Sequence, residues 1–336
     1  MSSPTPQCRS PSICTNCHEA TCSKGIAIII CVAPSPALDR TLLVDAVVAG
    51  HIHRPHDAVS VAGGKGFNVA RSARALGADV VAAAILGGPT GAHVEHLLRA
   101  DGINARVIEG TSDTRTCTSI ASMSTSTLTE FYELAAAVTL DEWQALETSI
   151  GIELALDASW LTISGSMPSG APIDAVARLT ALAHSYGARI AIDTHGPALS
   201  LALEHQPDIV KVNVHEAAAV LGLSVDPTPH MAATALHDRQ GWLTVVTAGT
   251  AGAWAVAGGP VWHVGAAQTG AFPVGSGDAF LAGLITGLVE SGDDIAGALA
   301  LAAGTAAANA QLPGAGVLDP EQARSWAADI VVAVSP

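Results

Sequence analysis

The sequence predicts an α/β fold with a mostly parallel central sheet that is flanked by helices on both faces. Two observations support this prediction. Short runs rich in β-branched residues alternate with longer runs that have helical periodicity. Hydrophobic residues make up 49% of the 336 positions and charged residues only 13%, so the chain can bury a large core. Because no internal repeat or linker interrupts residues 25–336, we expect them to form one domain.

The predicted elements follow one another in a regular order. Strands are predicted for Ile26–Val32, Val80–Leu86, Trp160–Ser164, Arg189–Asp193, Ile209–Val212 and Leu243–Thr247. Helices are predicted for Phe67–Leu76, Ala92–Ala100, Leu140–Leu156, Ile173–Tyr186 and His215–Leu221. Crossover connections bring the carboxyl ends of parallel strands to one edge of the sheet, so we expect a ligand crevice at that edge.

Two regions break the alternation of strands and helices. Arg40–Val47 with Val59–Val61, and Thr114–Ser122 with Thr127–Glu133, have the pattern of strand pairs without a helix between them. We predict that these pairs, near residues 40–61 and 114–133, form a small separate sheet that covers the crevice as a lid.

The charge balance bears on the class of partner. Fifteen Lys and Arg residues stand against thirty Asp and Glu residues, which gives a net charge of −15. This balance argues against nucleic acid or an anionic membrane surface as a partner, but a small anionic substrate needs only a local positive pocket. No segment predicts a membrane span or a secretory signal, so we expect a cytoplasmic location.

The first 24 residues differ in composition from the rest of the chain. They are rich in Ser, Thr and Pro, and they contain four of the six cysteines: Cys8, Cys14, Cys17 and Cys22. The irregular spacing favours a disordered extension, and a zinc site built from these four thiols is the alternative.

The segment Pro273–Asp278 contains Gly275-Ser276-Gly277-Asp278 and leads into an apolar helical run. Two glycines allow backbone N–H groups to turn toward one point, at the positive end of the helix dipole, which suits a phosphate. A carboxylate in that position is useful if Asp278 takes a proton from a hydroxyl that attacks the phosphate. The alternative is a plain glycine-rich turn in which Asp278 is the helix N-cap.

A second glycine cluster, Gly63-Gly64-Lys65-Gly66-Phe67-Asn68, begins another helical run. It does not match a Walker A loop, because Lys65 is followed by glycine and not by Ser or Thr. Glycines allow a ligand to approach the backbone, Lys65 offers a positive charge, and Asn68 can donate to and accept from hydroxyls. Asp39, after the first strand, could bind two sugar hydroxyls or merely cap a turn.

Four motifs occur in order: Pro36-Ala37-x-Asp39, the Gly63–Asn68 cluster, Ser164–Gly170 and Gly275–Asp278. Together they resemble the ribokinase-like (pfkB) carbohydrate kinases, and within them the branch of 1-phosphofructokinases and tagatose-6-phosphate kinases. The resemblance runs from about residue 25 to the C-terminus. It implies a ribokinase-like fold, ATP and Mg2+ as cofactors, and a sugar-phosphate substrate.

The resemblance also implies roles for individual residues. Asp278 would be the catalytic base, with Gly275, Ser276 and Gly277 as the anion hole. The substrate would be bound by Asp39, Gly63, Gly64, Lys65, Asn68, Arg115 and Glu130. ATP would be bound by Lys211, Asn213, Thr247, Gly249, Thr250, Gly252, Gly275, Gly277 and Asn309, the last near the adenine. Asn213 and Glu216 would organise the metal ion.

In the sugar-phosphate branch, Arg115 and Lys65 resemble the pair that holds the phosphate already present on the substrate. This favours fructose 1-phosphate or tagatose 6-phosphate as the acceptor. The sequence departs from the family pattern at Ser35, where Asn is usual, and at Tyr132-Glu133, after Glu130-Phe131. Both departures fall on the sugar side, so the identity of the sugar stays open.

Three other interpretations remain open at this point. One is a kinase of the same family that acts on an unphosphorylated sugar or a nucleoside. Another is a regulator that binds a sugar phosphate without turnover. The third is an oxidoreductase, because Gly275-x-Gly277 weakly resembles a dinucleotide fingerprint, although Phe280 occupies the third glycine position. The resemblance further implies a possible homodimer formed through the lid.

Overall fold

The computed structural model describes residues 27–156, 158–239 and 242–335. The cysteine-rich residues 1–24, with their possible zinc site, lie outside this part. The strands are β1 (Ile28–Val32), β2 (Ala37–Val44), β3 (Asp57–Gly63), β4 (Asp79–Leu86), β5 (Asn104–Glu109), β6 (Arg115–Ser122), β7 (Thr127–Tyr132), β8 (Ala158–Ser164), β9 (Arg189–Asp193), β10 (Ile209–Asn213), β11 (Leu243–Thr247), β12 (Ala253–Val256), β13 (Val261–Val264) and β14 (Val332–Ser335). The helices are α1 (Lys65–Ala75), α2 (Gly88–Ala100), α3 (Leu140–Leu154), α4 (Ala175–Ser185), α5 (Gly196–Leu203), α6 (Val214–Leu221), α7 (Pro229–His237), α8 (Ser276–Ser291), α9 (Ile295–Asn309) and α10 (Pro320–Asp329).

The large sheet has ten strands in the order β14-β13-β12-β11-β10-β9-β8-β1-β4-β5. Strands β11 through β5 in this order run parallel, whereas β12, β13 and β14 form an antiparallel edge. The prediction of a mostly parallel sheet is therefore confirmed. Chain order reverses at β1, which lies between β8 and β4, and such a reversal opens a crevice at the carboxyl ends of the strands.

Helices cover both faces of this sheet, as predicted. One face packs against α1, α2, α8 and α9, and the other packs against α3 to α7. Helices α8 and α9 approach each other closely at glycines: a Cβ atom on Gly283 would lie 2.8 Å from the Cα of Ala302. This close packing sets the position of the α8 N-terminus, where the Gly275–Asp278 motif lies.

The predicted small sheet is present, with the strand order β3-β2-β6-β7. Strand β2 pairs antiparallel with β3 and parallel with β6, and β7 pairs antiparallel with β6. The first lid strand begins at Ala37, three residues earlier than predicted, so it includes Asp39. It ends at Val44, before an exposed loop that contains Gly50 and Pro55.

Several elements were not predicted from the sequence. The edge strands β5 and β12–β14 and the helices α5, α7 and α10 are short, and short elements show little periodicity. Helix α1 begins at Lys65, two residues before the predicted start, because Gly64 takes a φ of 99° at its N-cap. Within the described ranges, every helix is too short or too polar to cross a membrane.

Candidate active site

Two adjoining cavities lie at the carboxyl ends of the parallel strands, and the polar one is also lined by the lid sheet. The polar cavity has a volume of about 490 Å3. The apolar cavity, about 360 Å3, lies against α8 and α9. Thr247 and Gly277 line both, so the cavities meet at these residues. The charged and polar side chains of the polar cavity are those of Ser35, Asp39, Lys65, Asn68, Arg115, Cys117, Tyr132, Ser166, Asp193, His195, Lys211, Asn213, Glu216, Thr247 and Asp278.

The loop before α8 presents the N-terminus of that helix to the cavities. Gly275 is its N-cap, with a φ of 82° that favours glycine, and a Cβ atom there would lie 2.8 Å from the Cβ of Ala315. No side chain in the described part of the chain caps α8, which leaves the helix start available to an anion. The alternative in which Asp278 is the N-cap is therefore wrong. The N–H of Ser276 donates to the Pro273 carbonyl at 3.1 Å and stabilises the turn.

Asn309 stabilises the loop before α8 through hydrogen bonds of its side-chain amide. Its Nδ2 donates to the Val274 carbonyl at 2.9 Å and to Ser276 Oγ at 3.1 Å, and its Oδ1 accepts from the Gly316 N–H at 2.7 Å. The side chain is fully buried and lines neither of the two cavities described above. Asn309 was expected near an adenine; in the structure its amide holds the loop, and its neighbours Ala306, Ala307 and Ala310 line the apolar cavity.

Asp278 lies in the polar cavity and is only 5% exposed. Its Oδ2 accepts a hydrogen bond of 2.8 Å from Asn68 Nδ2. Burial raises the pKa of Asp278, and the nearby negative charge of Asp193 raises it further, to about 7, although Lys65 and Lys211 oppose this. A carboxyl group with this pKa can take up and release a proton near neutral pH.

Asp193, at the end of β9, was missed by the sequence analysis as a site residue. It is fully buried, and its two oxygens accept from Lys65 Nζ at 3.1 Å and from Lys211 Nζ at 2.6 Å. Burial alone would raise the pKa of Asp193, but the two lysines outweigh burial and lower it. Its position at the carboxyl end of a parallel strand was the available signal.

Asp39 lies within β2 and faces the polar cavity, so the alternative in which it caps a turn is wrong. Its carboxylate occupies the space beside Gly63, where a Cβ atom would lie 2.0 Å from the Asp39 Cγ. Burial raises the pKa of Asp39, although the Gly64 N–H, two arginines and the Cys117 thiol favour the ionised form. Gly63 thus keeps space free for a carboxylate that faces the cavity.

Arg115, at the start of β6, lines the same cavity. It donates from Nη1 to the Glu133 carbonyl at 3.1 Å and from Nη2 to the Ser35 carbonyl at 3.3 Å. Its Nε is buried and has no hydrogen-bond partner among the described residues. Lys65, predicted to act together with Arg115, lines the cavity too, but its ammonium group is bonded to Asp193.

Glu130 does not line the polar cavity in the described structure. It is exposed on β7, and its Oε1 accepts a hydrogen bond of 2.5 Å from the Tyr132 hydroxyl. Tyr132 itself lines the cavity.

The apolar cavity is bounded by the turn Gly249–Ala251, by the small side chains of Ala303, Ala306 and Ala307 on α9, and by Ala310 just after that helix. Gly252, with a φ of 90°, packs so closely that a Cβ atom would lie 2.0 Å from the Val264 carbonyl oxygen. The ring of His263 stacks on Trp254 and hydrogen-bonds the Ala251 carbonyl at 3.1 Å. The cavity is therefore a mostly apolar slot that includes Ser276 and Gly277 of the α8 N-terminus.

Comparison with known proteins identifies this arrangement. A family model described as pfkB family carbohydrate kinase matches residues 23–322. This chain belongs to the pfkB family of carbohydrate kinases. It is 34% identical over 260 residues to a 1-phosphofructokinase of Rhodobacter capsulatus, an alignment that covers 76% of this chain and 82% of that protein. The oxidoreductase alternative is therefore wrong.

Solved structures of low sequence identity share the fold. A possible 1-phosphofructokinase from Thermotoga maritima superposes with a TM-score of 0.82 at 21% identity, over 92% of this chain and 100% of that one. Phosphofructokinase-2 from Escherichia coli, in complex with substrates and products, gives 0.81 at 24% identity over 90% and 99%. A ribokinase from Thermotoga maritima gives 0.70 at 17% identity over 90% and 99%. The predicted ribokinase-like fold is confirmed.

Asn213 and Glu216 of the kinase form a reciprocal cap at the start of α6. The Asn213 N–H donates to Glu216 Oε2 at 2.9 Å, and the Glu216 N–H donates to Asn213 Oδ1 at 2.8 Å. The described residues contain no group of three or more His, Cys, Asp or Glu side chains that could hold a metal ion by themselves. Mg2+ commonly keeps several waters and takes one or two protein oxygens together with phosphates, so these hard oxygen donors fit that ion.

The structure brings most of the predicted site residues together. The predicted residues that line one or both cavities are Asp39, Gly64, Lys65, Asn68, Arg115, Lys211, Asn213, Glu216, Thr247, Gly249, Thr250, Gly252, Gly275, Ser276, Gly277 and Asp278. Gly63 leaves the space that the Asp39 carboxylate occupies, whereas Glu130 and Asn309 line neither cavity. Asp193, Cys117 and Tyr132 line the polar cavity without having been predicted as site residues.

Proposed function

We propose that this kinase transfers the γ-phosphoryl group of ATP to a ketohexose phosphate, with fructose 1-phosphate as the first candidate and tagatose 6-phosphate as the second. The observation that carries the proposal is that Arg115 lines the polar cavity while its buried Nε lacks a hydrogen-bond partner among the described residues. A substrate phosphate would supply that partner, because the planar guanidinium suits an oxyanion. The 1-phosphofructokinase of Rhodobacter capsulatus, the relative at 34% identity, supports the same substrate class.

The proposed chemistry is a direct in-line transfer. Asp278 takes the proton of the substrate hydroxyl while the hydroxyl oxygen forms a bond to the γ-phosphorus and the bond from that phosphorus to ADP breaks. The start of α8, with Gly275 and Gly277, would stabilise the negative charge that develops on the transferred group. Ser276 would help to hold this loop in shape through its contacts with Pro273 and Asn309.

ATP would lie across both cavities, with its base in the apolar cavity and its phosphates at Thr247 and Gly277. Lys211 lies beside this junction, since a Cβ atom on Gly277 would be 3.5 Å from Lys211 Nζ. Asn213 and Glu216 would hold Mg2+, which, when bound, offsets the negative charge of the nucleotide phosphates.

The test is ADP release with ATP and Mg2+ across a panel of acceptors, namely fructose 1-phosphate, fructose 6-phosphate, tagatose 6-phosphate, fructose, ribose and adenosine. Turnover confined to phosphorylated ketoses would support the proposal and identify the sugar. Turnover only on fructose, ribose or adenosine would support kinase activity but would overturn the phosphate-binding role of Arg115. Binding of a sugar phosphate without turnover would favour the regulator.

A homodimer formed through the lid is a further part of the proposal. Strand β7 is the last strand of the small sheet, and Phe131 and Leu134 at its end are 61% and 93% exposed. Exposed apolar groups beside an edge strand favour pairing with another copy. Light scattering of the wild-type protein and of a Phe131→Ser variant would test it. The cytoplasmic location stays a prediction.

A further inference from the structure

One carboxylate holds both lysines of the described chain. The sequence contains three lysines, of which Lys24 lies outside the described residues. The other two, Lys65 and Lys211, donate to separate oxygens of Asp193 at 3.1 Å and 2.6 Å. The side chain of Asp193 is 1% exposed, and that of Lys211 is 5% exposed. Removing these charged groups from water costs free energy that can exceed the gain from their attraction. Stabilisation of the fold is therefore a weak explanation for this arrangement.

Both lysines line the polar cavity, but their ammonium groups have different further neighbours. Lys211, on β10, has its ammonium group next to Gly277 in the first turn of α8. Lys65 begins α1, lines the polar cavity and lies 3.9 Å from Glu216 Oε1. Asp193 thus holds two positive charges at the polar cavity, one beside the first turn of α8 and the other beside Glu216.

The main chain of Asp193 is held independently of the lysines. The Gly165 N–H donates to the Asp193 carbonyl at 2.8 Å, and Thr194 Oγ1 donates to the Gly165 carbonyl at 2.8 Å. The scaffold therefore positions the carboxylate, and the carboxylate positions the lysines. If its charge were lost, the ammonium groups would repel each other and turn toward the remaining carboxylates, Asp278 and Glu216.

We infer that Asp193 is a positioning residue for phosphoryl transfer, which keeps Lys65 and Lys211 directed at the group in transit and away from Asp278. The inference rests on the proposed kinase reaction, but it does not depend on which acceptor is used. Asp193 acts through the two lysines and through its own charge beside Asp278. Its effect should therefore appear in kcat far more than in binding.

The test compares Asp193→Asn, Lys65→Met, Lys211→Met and the two double variants that combine Asp193→Asn with one lysine change. We expect Asp193→Asn to lower kcat by about 100-fold, with KM for ATP and for the acceptor changed less than about threefold. Because the residues act as a unit, each double variant should be much faster than the product of the single effects predicts. Effects that multiply, or a wild-type kcat in Asp193→Asn, would overturn the inference.

The pH profile supplies a second measurement that a merely structural role would not change. The charged groups that act on Asp278 are Asp193, Lys65 and Lys211, and Asn68 is its hydrogen-bond partner. Removing the charge of Asp193 and freeing the lysines both favour ionised Asp278, so the acid limb of kcat/KM should move to lower pH. If the double variants are too slow to measure, the acid limb of kcat/KM for Asp193→Asn tests the inference instead. An acid limb at the wild-type pH would overturn it.

A control separates lost folding from lost positioning. Glu153→Gln also removes a buried carboxylate. Glu153 lies on α3, away from both cavities, and its Oε1 accepts a 2.5 Å hydrogen bond from Arg106 Nε. It should lower thermal stability while kcat stays unchanged. The double variant with Lys211→Met also removes a buried cation, so it should fold better than Asp193→Asn alone. The series is measured with whichever acceptor the wild-type enzyme phosphorylates, or as slow ATP hydrolysis if it phosphorylates none. A wrong substrate assignment is therefore recognised separately from a wrong role of Asp193.

Discussion

Asn68 Nδ2 donates a 2.8 Å hydrogen bond to Asp278 Oδ2, across 210 residues of sequence. The bond joins the two glycine-rich motifs, because Asn68 lies in the first turn of α1 and Asp278 in the first turn of α8. Asn68 Oδ1 has no partner among the described residues, and both side chains line the polar cavity. This amide can therefore orient the proposed base with one end and accept from a substrate hydroxyl with the other.

Asp278→Asn should lower kcat by about 10²- to 10⁴-fold, the usual contribution of a general base, while KM for ATP changes little. The substitution keeps the size of the side chain and removes its ability to take a proton. The measurement is coupled ADP release at saturating substrate. Asp293→Asn, an equivalent change at an exposed carboxylate bonded to Arg189, is the control and should leave kcat unchanged. An Asp278→Asn enzyme of wild-type speed would exclude Asp278 as the base.

The pH dependence of kcat/KM should show an acid limb near pH 7. The pKa of Asp278 is raised to about 7 by burial and by Asp193, and only the ionised carboxylate can accept a proton. The rate should therefore fall about tenfold for each pH unit below that value and level off above it. Initial rates between about pH 5.5 and about pH 9 check this. A limb near the ordinary aspartate pKa would contradict it.

Asp278→Asn should also stabilise the fold at alkaline pH. A carboxyl group whose pKa is raised in the folded state contributes stability that is present below its unfolded pKa and is lost as pH rises through its folded pKa, here about 7. Because an asparagine side chain does not ionise, the Asp278→Asn variant does not lose this stability as the pH rises. Its melting temperature should exceed that of the wild type above pH 7, and the difference should shrink on acidification toward the ordinary aspartate pKa. An unchanged difference across this range would show that ionisation of Asp278 does not destabilise the enzyme.

Arg115→Gln should raise KM for a phosphorylated acceptor and leave KM for ATP unchanged. Losing charge-assisted hydrogen bonds costs about 1.5 to 3 kcal/mol, which is roughly a 10- to 150-fold increase in KM. Arg40→Gln, on the neighbouring lid strand, removes an exposed charge and is the matched control. Equal effects of the two substitutions would indicate a general electrostatic contribution and not a phosphate contact.

Gly63→Ala should impair the acceptor site selectively. The new Cβ atom would lie 2.0 Å from Asp39 Cγ, so the carboxylate must move, and a displacement of about 1 Å in a positioning group can cost about 100-fold in kcat/KM. Gly151→Ala on α3 is the control, since a Cβ atom there meets only Leu182 at 4.0 Å. Steady-state kinetics with varied acceptor and varied ATP separates the two sites. An acceptor kcat/KM like that of the control would contradict the role of Gly63.

The sequence was sufficient for features that depend on neighbouring residues. Periodicity predicted the parallel strands and their helices, and the glycine clusters predicted helices beside Lys65 and Asp278, although α1 begins two residues before its predicted start. Strand pairing without crossover predicted the lid sheet. The short edge strands β12–β14 were missed, because four-residue strands carry too little periodicity to separate them from loops.

Tertiary structure alone decided which of these residues meet. Asp193 contacts Lys65 across 128 residues, and this contact exists only because β9 and the start of α1 reach the same edge of the sheet. Asn309 carries a residue type suited to a ligand, yet close packing of α9 against α8 buries it behind the loop. Local sequence specifies backbone conformation and residue chemistry, whereas strand order and helix packing are set by long-range burial. The contacts that raise the pKa of Asp278 depend on that second level.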